Sequence, residues 1–196
     1  MGHIVLTKIF SAFLLSGHEK QALEGLYRQI VRQARMPFFY RDYGVEDTLD
    51  GRFDVLCACV IAVIRGLHDD ATQRPHSPKS ARYQQFIFDQ FFCQMDEDCR
   101  ERGIGDLGVP KHIKKMMIAF HGRLDSYLPT LQKRDADALA RALCRNLYRG
   151  KTDKNADAVA RWMIDVADQS TIFFQTHKMQ SDFIFPTPTL LQQKAA

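Results

Sequence analysis

The stretch Thr48-Leu49-Asp50-Gly51-Arg52-Phe53-Asp54-Val55-Leu56-Cys57-Ala58-Cys59-Val60-Ile61-Ala62-Val63-Ile64-Arg65-Gly66-Leu67-His68 decides the fold. Its apolar residues recur with helical spacing, so that Leu49, Phe53, Leu56, Val60, Ile64 and Leu67 share one broad face. The opposite side carries Gly51, Ala58, Ala62 and Gly66, all small. A helix apolar on one side and small on the other belongs between neighbours, one of them packed closely. The uninterrupted apolar run, Val55 to Ile64, is too short to cross a bilayer and long enough for a core helix. Charge crowds the entrance of this helix. Thr48 or Asp47 serves as N-cap, and carboxylates in a first turn suit the positive end of the helix dipole. Asp50 and Asp54 stand four apart, share a face, and repel unless a cation lies between them. Arg52 points elsewhere and requires an anion of its own.

Working outward, nearly every long segment has helical periodicity, and no run alternates with period two. Ile4 to Leu15 reads as a short helix. Ser16 with Glu19 forms a capping box that opens a second helix to about Arg35. Met36 to Tyr40 is an aromatic connector, and the core helix runs from about Thr48 to His68. Asp69 to Lys79 is a surface loop. Ser77-Pro78 caps and starts a fourth helix that stops at Gly103. After the glycine-rich bend Gly103–Gly108, with Asp106 as cap, a fifth helix spans about Val109 to Tyr127. A sixth starts at Asp135 and ends near Gly150, and a seventh runs from Asp153 to about His177. Residues 182–196, with Pro186 and Pro188, read as a loose or peripheral tail. The expected fold is all-α: one compact bundle of about six to seven helices around a central buried helix, in a single domain spanning residues 1–181.

Composition agrees with a packed domain. The 45% hydrophobic content supports a core, and 7 prolines with 11 glycines are too few for a disordered chain. A net charge of +4 permits an anionic partner without demanding one. The 5 cysteines, an odd number, argue for reduced thiols; Cys57 with Cys59 and Cys93 with Cys99 are poorly spaced for zinc. Lys8 interrupts the apolar start and no small-residue cleavage site follows, which favours a mature, intracellular chain. On the fifth helix, Val109, Ile113, Met116, Met117, Phe120, Leu124 and Tyr127 form the inner face, while Lys111, Lys114 and Lys115 point away with Ile118 among them. Exposed lysines are commonly solvated only; this face also suits ribosomal RNA or an anionic membrane.

Three blocks carry a family resemblance. Tyr43-Gly44-Val45-Glu46-Asp47-Thr48-Leu49-Asp50-Gly51-Arg52-Phe53-Asp54 resembles the signature of the ubiquinol–cytochrome c chaperone family, assembly factors for cytochrome b. Gly103 to Val109, with Lys111 to Lys115 and Phe120 to Leu124, resembles a second block of that family, although Pro110 replaces a small residue there. Leu143 to Tyr148 is similar to a third, and together they cover roughly residues 25–150. The resemblance implies a non-enzymatic chaperone that binds newly made cytochrome b during assembly of respiratory complex III, near ribosome or membrane. It directs attention to Asp47, Thr48, Asp50, Gly51, Arg52 and Asp54, and in the second block to Asp106, Gly108, Lys114, Lys115, Gly122 and Arg123. A groove beside the core helix is expected to receive an apolar client segment. Some relatives work with a small partner subunit; for this chain a monomer without cofactor or metal is expected. The alternative is a ribosome- or RNA-associated helical module with another client. Catalytic arrangements have little support: there is no nucleophile elbow and no His-Glu-x-x-His, and the clustered aspartates have Arg52 among them and no nearby histidine.

Overall fold

The computed structural model describes residues 15–69, 74–151, 155–176 and 183–188. Seven helices are present among them: α1 Gly17–Ala34, α2 Phe38–Arg41, α3 Leu49–Arg65, α4 Pro78–Glu101, α5 Val109–Lys133, α6 Ala136–Asn146 and α7 Ala156–Gln175. The fold is an all-α bundle, and the described residues contain no strand, only an isolated bridge between His68 and Pro75. The helix expected over Ile4 to Leu15 lies almost wholly outside the described residues.

α3 is the central element. Every residue from Asp54 to Arg65 is buried, and the helix packs on α7, α5 and α1. The small side is the closest approach: a Cβ at Gly66 would lie 2.5 Å from the Ser170 backbone on α7. One end departs from the expected apolar face. Leu49, the first residue of α3, is 56% exposed. A phenylalanine cluster from α3, α4 and α5 fills the adjoining core, with Phe91 5.9 Å from Phe53 and 5.0 Å from Phe120.

The capping box forms as expected and does more than close a helix. The Ser16 amide donates to Glu19 Oε2 at 2.9 Å and the Glu19 amide donates to Ser16 Oγ at 3.3 Å. Glu19 Oε1 also accepts from the Tyr83 hydroxyl and lies 2.7 Å from Lys79 Nζ, so one carboxylate joins α1 to α4. Lys79, then Tyr83 and the Ser16 amide, hold its pKa down to about 2 from 4.5. A carboxylate depressed on folding stabilises above its unfolded pKa and loses that contribution as pH falls. The stability gap between wild type and Glu19→Gln is therefore expected to be constant near neutrality and to close between about pH 4.5 and about 2. Chemical denaturation of both proteins across that range checks it; a gap independent of pH would remove Glu19 as the tie.

Several boundaries differ from expectation for local reasons. The aromatic connector contains the short helix α2. α5 continues beyond Tyr127 to Lys133, with Pro129 accommodated inside it, and closes on the left-handed Arg134. α6 stops at Asn146, followed by left-handed Arg149 and Gly150. α7 begins at Ala156, and residues 152–154, which include its expected start, lie outside the described residues. Asp106 is not the cap of α5. Its carboxylate is 2.7 Å from Arg100, and Gly108 occupies the cap position without a side-chain bond. Of the segment expected to be loose or peripheral, residues 183–188 lie against the bundle. The Phe183 amide donates to Gln29 Oε1 at 3.0 Å, and Trp162 Nε1 donates to the Pro186 carbonyl at 2.9 Å.

Candidate functional site

The approach to α3 is built on buried aromatics. Tyr43 and Val45 are buried, and Gly44 between them takes φ +69°, a left-handed turn that glycine adopts at no steric cost. The Tyr148 hydroxyl donates to the Tyr43 carbonyl at 3.0 Å, which pins this loop to the end of α6. Thr48 is the N-cap, its Oγ1 accepting from the Gly51 amide at 3.1 Å. Gly51 is needed for space: a Cβ there would fall 2.0 Å from the Glu46 carbonyl oxygen.

The charges then separate into an exposed and a buried set. Arg52 makes a two-pronged bond to Asp47, Nε to Oδ1 at 2.6 Å and Nη2 to Oδ2 at 3.1 Å, and lies over the Tyr40 ring. The guanidinium holds the Asp47 carboxyl below its ordinary pKa. Both side chains are about half exposed, so this pair orients the loop more than it stabilises it. Asp54 is the buried member, at 1% exposure. Arg123 of α5 pairs with its Oδ1, and Arg149 pairs with Oδ2 at 3.1 Å. Burial pushes the Asp54 carboxyl above its ordinary pKa, and the two guanidinium groups pull against that. Arg149 also lies 3.7 Å from the exposed Asp50, so it is the cation between the two aspartates. Arg123 is fixed in turn by a 2.8 Å bond to the Ala119 carbonyl and by the Phe53 ring beneath it.

The first two sequence blocks, and the residue just after the third, thus meet at one carboxylate. Asp54 comes from the first, Arg123 from the second, and Arg149 directly follows the third. Beside this junction lies a groove of about 700 Å³ between α1, α3, α4 and α5. Leu56, Phe53, Met95, Met116 and Ile104 supply apolar lining, and Arg35, Arg52, Arg102, Arg149 and Lys115 supply the positive edge, with His112 beside them. Asp50, Asp54 and Asp98 are its acidic members. Arg35, Arg102 and Lys115 have no carboxylate partner within ion-pair distance among the described residues, which leaves the edge with surplus positive charge. Chemically, such a groove binds an apolar segment and favours one that carries an anion.

The expected residues divide accordingly. Asp50, Arg52, Asp54, Arg123 and Lys115 line the groove, while Asp47, Thr48 and Gly51 shape its entrance from behind. Asp106, Gly108, Lys111 and Lys114 do not line it. Gly122 is exposed, with open space where a Cβ would stand. Sequence reasoning missed Arg149, Arg35, Arg102 and Met95. Arg149 lies one residue beyond the third block and adopts a left-handed φ of 56°. Among the described residues no group of three metal-ligating side chains is assembled, and no helix is long and apolar enough to cross a membrane.

Comparison with known proteins gives the same family that the three blocks resemble. Residues 41–169 match the profile of the family described as Ubiquinol-cytochrome C chaperone. The match starts later than the roughly 25–150 expected and runs further, through most of α7. Among solved structures, the chain is similar to the Cbp3 homolog from Brucella abortus, with 30% identity and a TM-score of 0.73 over 87% of this chain and 91% of that one. No curated protein matches the sequence.

Proposed function

The chain belongs to the ubiquinol–cytochrome c chaperone family, and from that premise we propose that it is a non-enzymatic assembly factor holding newly made cytochrome b for respiratory complex III. The observation that carries the reading is the groove beside the Asp54 junction. Its apolar lining takes side chains of a membrane-bound client that has not yet reached its own partners. Its edge is cationic, so a client segment with carboxylates beside its apolar residues binds better than a purely apolar one. Asp54 with Arg123 and Arg149 holds the groove in shape, and the exposed Asp50 and Arg52 meet the client. Chaperoning requires no bond to be made or broken, only apolar contact that is released when assembly proceeds.

The test is a reduced-minus-oxidised haem spectrum of membranes from a deletion strain in a host with complex III. Asp50→Ala/Arg52→Ala changes two exposed side chains and is expected to leave the bundle folded while failing to restore the cytochrome b signal that wild type restores. Full restoration by the double variant would remove these residues from the client surface. An unchanged spectrum in the deletion strain itself would remove cytochrome b as the client.

A further inference from the structure

The outer face of α5 is not accounted for by the groove. Lys111, Lys114 and Lys115 are exposed and have no ion pair among the described residues. Two large apolar side chains share that face. Ile118 is 65% exposed, four residues after Lys114 and seven after Lys111, on the same helical side. Leu107 is 99% exposed in the turn before the helix. The Gly105 carbonyl already accepts from the Gly108 and Val109 amides at 2.7 and 3.2 Å, so the chain is coiling before α5 begins. That coiling sets Leu107 one turn ahead of Lys111. The acidic residue closest to Leu107 in sequence, Asp106, is engaged by Arg100.

We propose that this face docks on an anionic lipid bilayer, with Leu107 and Ile118 entering the interface between Lys111, Lys114 and Lys115. Lysines alone would serve a nucleic acid equally well, since phosphate is what they recognise. Bare leucine and isoleucine side chains gain nothing from a phosphate backbone, whereas a lipid interface takes both the apolar anchors and the charges. The geometry also relates the face to the groove. His112, Met116, Ala119 and Arg123 line the groove about a third of a turn around α5 from the outer stripe, with Lys115 between the two. Docking in this way sets the groove mouth beside the bilayer surface, where an apolar client segment is held before or after insertion.

The inference does not depend on the identity of the client, so either can fail alone. The test is co-sedimentation of the full chain with vesicles of phosphatidylcholine alone and of equimolar phosphatidylcholine and phosphatidylglycerol. Wild type is expected to bind only the anionic vesicles, and less as salt rises. Lys111→Gln/Lys114→Gln is expected to weaken binding by about thirtyfold. Leu107→Ser/Ile118→Ser is expected to weaken it by at least about tenfold with the salt dependence preserved. Absence of binding to anionic vesicles, or equal binding to neutral ones, overturns the proposal. So does wild-type binding by the serine variant, which, together with lysine-dependent retention of transfer RNA, would assign the face to nucleic acid.

Discussion

Asp54→Ala is expected to destabilise the bundle by about 3–5 kcal/mol, the range found when one partner of a buried ion pair is removed. The carboxylate is 1% exposed and lies between two guanidinium groups. Arg123 is itself only 13% exposed, so most of its side chain stays out of water when the carboxylate is gone. Asn at the same position fills the space but leaves the positive charges uncompensated, and its cost should approach that of Ala. The control is Asp50→Ala. Asp50 is 84% exposed and 3.7 Å from Arg149, so its removal should change stability by no more than about 0.5 kcal/mol. Denaturant midpoints for the three variants make the comparison. Equal midpoints for Asp54→Ala and Asp50→Ala would mean that the buried pair contributes no more than the exposed one.

The second large effect separates two glycines of the family blocks by sign. Gly51→Ala places a methyl 2.0 Å from the Glu46 carbonyl, a backbone atom that cannot rotate away. The loop carrying Asp47 must shift, and the variant is expected to lose about 1–3 kcal/mol, the usual cost of overpacking. Gly122→Ala meets nothing within 4 Å on an exposed turn of α5. There the removed backbone freedom should stabilise the helix by about 0.5–1 kcal/mol. Thermal unfolding of both decides the matter. A destabilised Gly122→Ala would mean that the helix needs that glycine for itself; a stabilised protein that fails in vivo would mark the position as one a partner approaches.

Legibility of the fold from sequence followed physical range. The capping box at Ser16, the Ser77-Pro78 start and the burial of α3 depend on residues within a few positions of one another, and all three are present. Errors arose where a distant group decided. Asp106 has the chemistry of a cap, but Arg100 at the end of α4 takes its carboxylate. Leu49 has the right phase for the core, but at the start of α3 it borders the groove and is 56% exposed. The helical pattern ends α5 near Tyr127, yet the helix runs on through Pro129 to Lys133. For the site, the first block could be read as a capped entrance with an unexplained carboxylate pair. That Arg149 supplies the cation could not be read, because nothing near position 149 in the sequence refers to position 54.

That distance sets an order of events during synthesis. Tyr148 and Tyr43, whose bond fixes the loop beside Asp54, are 105 residues apart in the chain. Closing a loop of that length is entropically costly and waits for the intervening helices to pack. A nascent chain that has displayed the whole first block, and even the second, therefore has the motif without Arg149, the second cation on Asp54. The groove is complete only when the end of α6 has left the ribosome and swung back, because Arg149 is part of its lining.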